Sequence, residues 1–409
     1  MARATADCAR PPDPAVHPLT GLTVLDLTRL LPGAVCTLAL AELGADVVKI
    51  EDPRSGDPLR HLPPSAGGRS VYDLVFNRGK RSVALDLRRP AARPVIDRLA
   101  ARADVLVESF RPRTARRLGL DASSTRGRHP GLIHCAITGF GQTGPYADHP
   151  GHDINFVALA GLLALDRAPD QAPHMPWMLI ADIAGGALSG LAGILAALVA
   201  RVRTGQGATV DISMHEGALS WLAVPAAREL VDGGDHDARD LPISGREACY
   251  NVYRTADDRF LALGALEPKF WAAFCERLGR PDFVPLQHAE GETQDRLVTD
   301  LRAILATRAL EDWLTHFAGV EACLAPVKRP AEALADPHVT HRQAVLTDGS
   351  VRAIRTPIRV VVGAGVGGEA PARPLAAAPS LGADTDAVLA AAGFDAAARA
   401  ALRADGVLG

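Results

Sequence analysis

The sequence predicts an α/β protein in which a mostly parallel sheet is covered by helices on both faces, with a smaller α+β domain following. Strand-like and helix-like segments alternate through the first half of the chain. Parallel strands joined by crossover helices produce that alternation, whereas antiparallel meanders do not. Near Glu247 the pattern changes to a hairpin and then amphipathic helices, which marks the second domain. At 409 residues the chain is too long for one compact core, so two or three domains are expected on size alone.

Thr23 to Leu27 reads as a short apolar strand, Ala34 to Leu43 as a helix starting after Pro32-Gly33, and Ala45 to Ile50 as a second strand. Together they form a βαβ unit. Val83 to Leu87 is strand-like, Ala91 to Ala101 helical, and Val105 to Glu108 and Leu132 to Thr138 are strands. Helices are expected near Ile154 to Leu165 and from Asp182 to Val202, with a strand at Thr209 to Ser213. Tyr250 to Arg254 and Phe260 to Leu266 flank Asp257-Asp258 as a hairpin, followed by helices over Phe270 to Leu278 and Thr293 to Thr307. The tail from Ser380 is helical again, broken at Gly382 and Gly393.

Composition narrows the functional classes. With 48% hydrophobic and 22% charged residues the chain reads as an ordinary globular protein. Its 47 acidic and 44 basic residues nearly cancel, so no global basic field is available to hold nucleic acid or an anionic membrane. The six cysteines are scattered without a Cys-x-x-Cys pair, which suits a reduced, cytoplasmic protein. Residues 1–17, rich in Ala and Pro, lack the apolar centre of a signal peptide and read as a loose tail. The uncharged stretch Ile183 to Ala200 just reaches the length of a membrane span. Gly185, Gly186, Gly190 and Gly193 thin its apolar surface, so a buried helix packed closely on a sheet is expected instead.

Several motifs carry no chemistry. Gly139-Phe-Gly-Gln-Thr-Gly144 matches a dinucleotide fingerprint and follows a strand, but Pro145 and Pro150 leave no room for the helix that would receive a pyrophosphate. His338-Val-Thr-His341 and His215-Glu216 lack the partners of a metal site, and no metal signature is read. There is no G-x-S-x-G nucleophile elbow. Two basic clusters are more pointed. Asn77-Arg78-Gly79-Lys80-Arg81-Ser82 leads into a strand, and Arg111, Arg113, Arg116 and Arg117 follow one. Arginines after parallel strands lie at the carboxyl edge, where α/β sheets bind phosphorylated ligands.

The segment Gly151-His152-Asp153-Ile154-Asn155, with Asp182 in Ala-Asp-Ile-Ala-Gly-Gly, offers an imidazole and a carboxylate at two predicted helix starts. Two such bases around one cavity suit proton transfer at a carbon beside a carbonyl. Taken singly, His152, Asp153 and Asp182 are equally suited to capping helices, the commonest task of Asp in that place.

Leu25-Asp-Leu-Thr-Arg29, Leu43 to Glu51, Asn77 to Ser82, the Gly139 to Pro145 loop, Gly151 to Asn155, Asp182 and Gly264-Ala-Leu-Glu267-Pro268 together resemble a family III CoA-transferase of the CaiB/BaiF type. Within that family they look like the alpha-methylacyl-CoA racemase branch, in unbroken order over roughly residues 20–405. The resemblance implies an interlocked homodimer of ring-like chains, each with a large Rossmann-like domain and a small domain. Active sites would lie between the large domain of one chain and the small domain of the other. It sets the large domain over residues 18–215 and 358–409, the small domain over 248–337, and linkers at 216–247 and 338–357.

It further implies that Asp182 is the family's catalytic aspartate and that His152 and Glu267 are the racemase additions. In that reading His152 and Asp182 move a proton on and off the α-carbon of a 2-methylacyl-CoA thioester, and Glu267 fixes the His152 tautomer. Asp153 sits beside them as a cap. Backbone N–H groups at the start of the Asp182 helix would meet the enolate oxygen, provided burial outweighs the helix dipole in setting the Asp182 pKa. Gly151, Arg78, Lys80, Arg81, Leu85, Asp86, Arg111 and Arg117 would hold coenzyme A, which travels as part of the substrate, so no separate cofactor is implied. Arg54 would make good the acidic character of Asp52 near the nucleotide. The alternative chemistry is CoA transfer between carboxylates through an aspartyl-CoA thioester on Asp182, for which His152 is unnecessary. A silent CoA-binding protein would have no use for His152, Asp182 and Glu267 together.

Overall fold

The computed structural model describes residues 17–165, 172–234, 237, 241–348, 351–361 and 375–409. The expected N-terminal tail, His17 apart, lies outside the described residues, as does part of the expected C-terminal return to the large domain. By its internal contacts the chain divides into two compact units, Met1–Trp221 with His341–Gly409, and Leu222–Thr340.

The first unit is built on six parallel strands: β1 (Thr23–Leu27), β2 (Asp46–Glu51), β3 (Arg81–Ala84), β4 (Val105–Glu108), β5 (Ile133–Thr138) and β6 (Thr209–Ser213). Their order across the sheet is β3-β2-β1-β4-β5-β6, so the winding reverses between β1 and β4. Ligands of such sheets sit beyond the carboxyl ends of the strands at that reversal. Period-two alternation sorts the side chains to the two faces. Val24, Val47, Val105 and Val107 join one core, while Leu25, Leu27, Val48, Ile50 and Leu106 join the other.

Helices cover both faces. Helix α1 (Leu30–Glu42) lies over the first core, and α2 (Ala92–Ala100) over the second through Val95, Ile96 and Leu99. Helix α3 (Pro112–Leu118) follows β4, and α4 (Asp153–Leu159) follows the Gly139 loop, from which no helix starts. The long apolar run opens as a π-helix over Ile180–Leu188 and continues as α5 (Ser189–Thr204). The sequence predicted an ordinary α-helix here from Asp182. A Gly- and Ala-rich stretch carries too little period to distinguish the two windings, and π segments occur frequently at functional sites. By length and composition this run could cross a membrane. One face packs on the sheet, where a Cβ on Gly190 would come within 2.9 Å of Ile137 and one on Gly193 within 2.5 Å of Val210, while Val199 and Val202 are exposed.

The π-helix also closely approaches α6 (Met214–Leu219). A Cβ on Gly185 would lie 2.9 Å from the Met214 carbonyl oxygen, and one on Gly217 only 2.3 Å from Cα of Gly185. The two backbones touch because neither residue has a side chain.

In the second unit, β7 (Tyr250–Arg254), β8 (Phe260–Gly264) and β9 (Leu324–Pro326) form an antiparallel sheet with β8 in the middle. Helices α7 (Pro268–Leu278), α8 (Glu292–Leu305) and α9 (Leu310–His316) pack on it around Trp271, Phe274, Leu301 and Trp313. Within the expected linker 338–357, β10 (Val345–Asp348) and β11 (Val351–Ile354) pair antiparallel in the first unit. Helices α10 (Thr385–Ala391) and α11 (Ala396–Ala404) follow, with Val388 and Leu389 in the second core.

Gly217→Ala should therefore destabilise the protein by about 1–3 kcal/mol through overpacking, read as a lower urea midpoint at unchanged m-value. Gly127→Ala, in the short helix Ala122–Arg128 with nothing within 4 Å of the added Cβ, should be neutral or stabilising by up to about 1 kcal/mol in the same experiment.

Candidate active site

Helix α4 starts beneath the Gly139 loop. Its Phe156 ring fills the space where a Cβ on Gly139 or on Gly151 would lie 2.6 Å away, and Phe140 meets it edge-on with ring centroids 5.2 Å apart. Packing alone thus requires Gly151. His152 is the N-cap, in an extended conformation, and its backbone N–H donates to Oδ1 of Asn155 at 3.0 Å. Its side chain is exposed.

Asp153 is 6% exposed and does not cap its own helix, as the sequence suggested. Its Oδ1 accepts a 2.8 Å hydrogen bond from the backbone N–H of Asp182, and the Ala181 N–H also supports it. The carboxylate therefore clamps the start of the π-helix from outside. Asp182 is the third residue of that helix, half-buried, with its carboxyl pushed from 3.8 up to about 7. Burial is the main cause and the Asp153 charge the second. Asp153 itself is raised by burial, with the two amide hydrogen bonds opposing. The upward shift at Asp182 thus comes from burial, to which a like-charge neighbour adds.

One expectation fails here. The first N–H groups of the Asp182 helix are already used: Ile180 donates to Met178, Ala181 and Asp182 to Asp153, and Ile183 to Leu179. They are not free to receive an oxyanion.

A second feature opens at the carboxyl edge of the sheet, where the winding reverses. A cleft of about 340 Å³ runs past Thr28 and Arg29 after β1, Glu51 and Asp52 at the end of β2, Asp86 and Arg88 after β3, and Phe110 and Arg117 beyond β4. It shares Leu87, Arg88, Arg117 and Leu118 with a neighbouring cavity of about 560 Å³, which Arg89 and Arg93 also line. Asp52 is matched by Arg54 and by Arg88, each at 2.9 Å, and Arg88 also meets Asp86 at 2.8 Å. The acidic departure at Asp52 is thus neutralised within the chain.

The other predicted anion ligands divide by which end of a strand they occupy. Arg78 and Lys80 precede β3 and Arg81 opens it, so their backbones stand away from this edge. Arg78 is buried against Glu42 and the Ile354 carbonyl, and Arg81 pairs with Asp46 at the amino end of β2. Lys80 is wholly buried on Asp26 at 3.4 Å, the Ala34 carbonyl at 3.1 Å and Asn77 at 3.2 Å. Burial, with Lys49 adding to it and Asp26 opposing, lowers its pKa to about 8. These three build the fold. Leu85 is also withdrawn, bridged to Leu408. Asp86 and Arg117 line the cleft, and Arg111 stays exposed at the N-cap of α3. Glu267 is exposed at the N-cap of α7 in the second unit.

The family model of CoA-transferase family III matches residues 19–385. The chain belongs to CoA-transferase family III. It is 34% identical to the alpha-methylacyl-CoA racemase of Homo sapiens over 343 residues, 80% of this chain and 82% of that one. It is also 34% identical to the acetyl-CoA:oxalate CoA-transferase of Acetobacter aceti over 355 residues, 84% of this chain and 89% of that one. A CaiB/BaiF family protein from Brucella suis shares its structure with a TM-score of 0.79 at 30% identity, covering 92% of this chain and 99% of the other. Equal identity to a racemase and a transferase makes this family III chain an enzyme of one of those two kinds and leaves the choice to the site.

Sequence reasoning passed over two cleft residues, Arg29 and Arg88. Both follow strand ends, the same signal that singled out Arg117. It also assigned Asp153 to the wrong helix, because a cap that crosses from one element to another leaves no local pattern.

Because Asp182 has a higher pKa folded than unfolded, its burial costs nothing below about pH 4, and stability is lost as pH rises toward about 7. Asp182→Asn should therefore be more stable than the wild type at pH 8, by on the order of 2 kcal/mol, with the difference shrinking toward pH 5 in parallel urea titrations.

Proposed function

We propose that this family III enzyme is an acyl-CoA racemase that transfers a proton at the α-carbon of a 2-methylacyl-CoA thioester. The reading rests on one observation, the hydrogen bond by which Asp153, next to His152, clamps the Asp182 amide in a half-buried place, where burial pushes the Asp182 carboxyl up to about 7. A group with that pKa is divided between its acid and base forms at neutral pH, as proton transfer in both directions requires. A nucleophile for thioester exchange would work better fully ionised.

In this mechanism one of His152 and Asp182 removes the α-proton and the thioester carbonyl takes up the charge as an enolate. The other returns a proton to the opposite face, so the charges balance and only configuration changes. With the π-helix amides occupied, we assign the enolate oxygen to the N–H groups of Asp153 and Ile154 at the start of α4, since those of Asn155 and Phe156 already donate to the His152 carbonyl. Glu267 is assigned to the second imidazole nitrogen of His152 in the interlocked homodimer. The nucleotide of coenzyme A is assigned to the carboxyl-edge cleft, with Arg29, Arg88 and Arg117 toward its phosphates and Arg89 and Arg93 beyond them. The rival reading, CoA transfer through Asp182, draws support from the transferase relative at equal identity.

In D2O the wild type should load deuterium at the α-carbon of a 2-methylacyl-CoA, and His152→Ala should lose this by about 100-fold or more. CoA transfer to a free carboxylate that survives His152→Ala, with a hydroxylamine-sensitive adduct on Asp182, would establish the transferase instead. Arg117→Ala should raise KM for the thioester by about tenfold, the worth of one charge-assisted contact, with kcat little changed in steady-state kinetics.

A further inference from the structure

The second unit holds a group of reactive side chains that the acyl-CoA reading does not use. Glu247, Cys249 and His288 each present one ligand atom, and these atoms lie within 4.8 Å of one another. Oε2 of Glu247 is 2.9 Å from Nδ1 of His288 and accepts from Sγ of Cys249 at 3.4 Å. A cleft of about 430 Å³ opens beside them, lined by Glu247 and His288 together with Gln294, Arg246, Ala289 and Glu290.

Gln294 gives an independent sign. Its side chain is 2% exposed, and its Nε2 donates to the Gln287 carbonyl at 3.1 Å. Its Oε1 is buried and meets no donor among the described residues. An unpaired buried oxygen costs on the order of 1–3 kcal/mol, and a cation in the adjoining cleft would remove that cost.

We propose that Glu247, Cys249 and His288 bind a divalent, thiol-seeking metal ion of the zinc class, with the Gln294 carbonyl oxygen completing the site. Bonds of about 2.0 Å to nitrogen or oxygen and about 2.3 Å to sulfur place the edges of a tetrahedron at roughly 3.3–3.8 Å. The 3.4 Å sulfur–oxygen separation matches such an edge, and the 2.9 Å nitrogen–oxygen contact, now a hydrogen bond, would open by about 0.4 Å on binding. Mixed sulfur, nitrogen and oxygen donors suit zinc better than magnesium or calcium. Arg246 at the rim is itself engaged by a partner, and Glu290 adds negative charge.

Without an ion, burial and then Glu247 push the Cys249 thiol up to about 12. A bound dication reverses the balance. On binding, the Sγ–H bond breaks, its proton passes to solvent, and an Sγ–metal bond forms with no change of oxidation state.

The site has a segment to brace. The Cys249 carbonyl accepts from Ala265 N at 2.8 Å. Gln287, next to His288, donates from Nε2 to the carbonyls of Ala265 at 3.1 Å and Leu266 at 2.7 Å. Those residues lead directly into Glu267, so the ion would act as a positioning group for that carboxylate.

The full-length protein, stripped with chelator and titrated with zinc and then cobalt, should bind one equivalent of either. The cobalt form should show a thiolate charge-transfer band in the near ultraviolet. His288→Ala, at an exposed position that does not threaten folding, and Cys249→Ser should each weaken binding by on the order of 100-fold, and Gln294→Leu by about tenfold. Absence of stoichiometric binding, an equivalent held as tightly by His288→Ala, or a cobalt complex without the thiolate band would overturn the proposal. None of these readings involves turnover, so they stand apart from the outcome of the racemase test.

Discussion

The hydrogen bond from the Asp182 amide to the Asp153 carboxylate is the constraint on which the site depends. It joins the start of α4, where His152 is the cap, to the third residue of the π-helix. The same contact brings one carboxylate near another in a half-buried place, where neither is well solvated. Holding the two together is unfavourable, and the fold must resist their separation. It does so with the glycine contact behind them, where Gly185 and Gly217 let two backbones touch and leave the π-helix little freedom to move away. A preorganised pair of this kind is how a carboxyl comes to serve as acid and base at neutral pH.

The cleft at the carboxyl edge of the sheet rests on a different device. Asp26, in the middle of β1 and fully buried, accepts from Thr28 and Thr37 hydroxyls at 2.6 and 2.7 Å and faces Lys80 and Lys49. Burial alone would raise its pKa, yet the two ammonium groups and the hydroxyls hold it low. Lys49 reaches on to Asp57 at 2.9 Å and to the Thr28 carbonyl at 2.9 Å, both at the cleft. Breaking one member would leave an unpaired charge in the core, so this network fixes the strand ends from which Arg29 and Arg88 project.

Much of this was legible in the chain. The βαβ start at Thr23, the run of parallel strands and the change of character after Glu247 follow from hydrophobic period and turn residues, and the structure has six parallel strands with smaller antiparallel sheets. What the sequence did not disclose is spatial. Arg78, Lys80 and Arg81 look like Arg117 as a charge cluster, but they lie at the start of a strand where Arg117 follows the end of one, and a parallel sheet puts those positions at opposite edges. Asp153 resembles any helix-capping aspartate, and only the folded chain brings the Ala181 and Asp182 amides to it. The π winding is hidden because an Ala- and Gly-rich run has no polar face to set a period.

A site-specific titration of the Asp182 carboxyl, by carbon-13 labelling or difference infrared against Asp182→Asn, tests the central claim most directly. The carboxyl should titrate near 7 in the free enzyme, and Asp153→Asn should lower the midpoint while burial keeps it above 3.8. A midpoint at the ordinary aspartate value, or one indifferent to Asp153→Asn, would contradict the clamp as the origin of the chemistry.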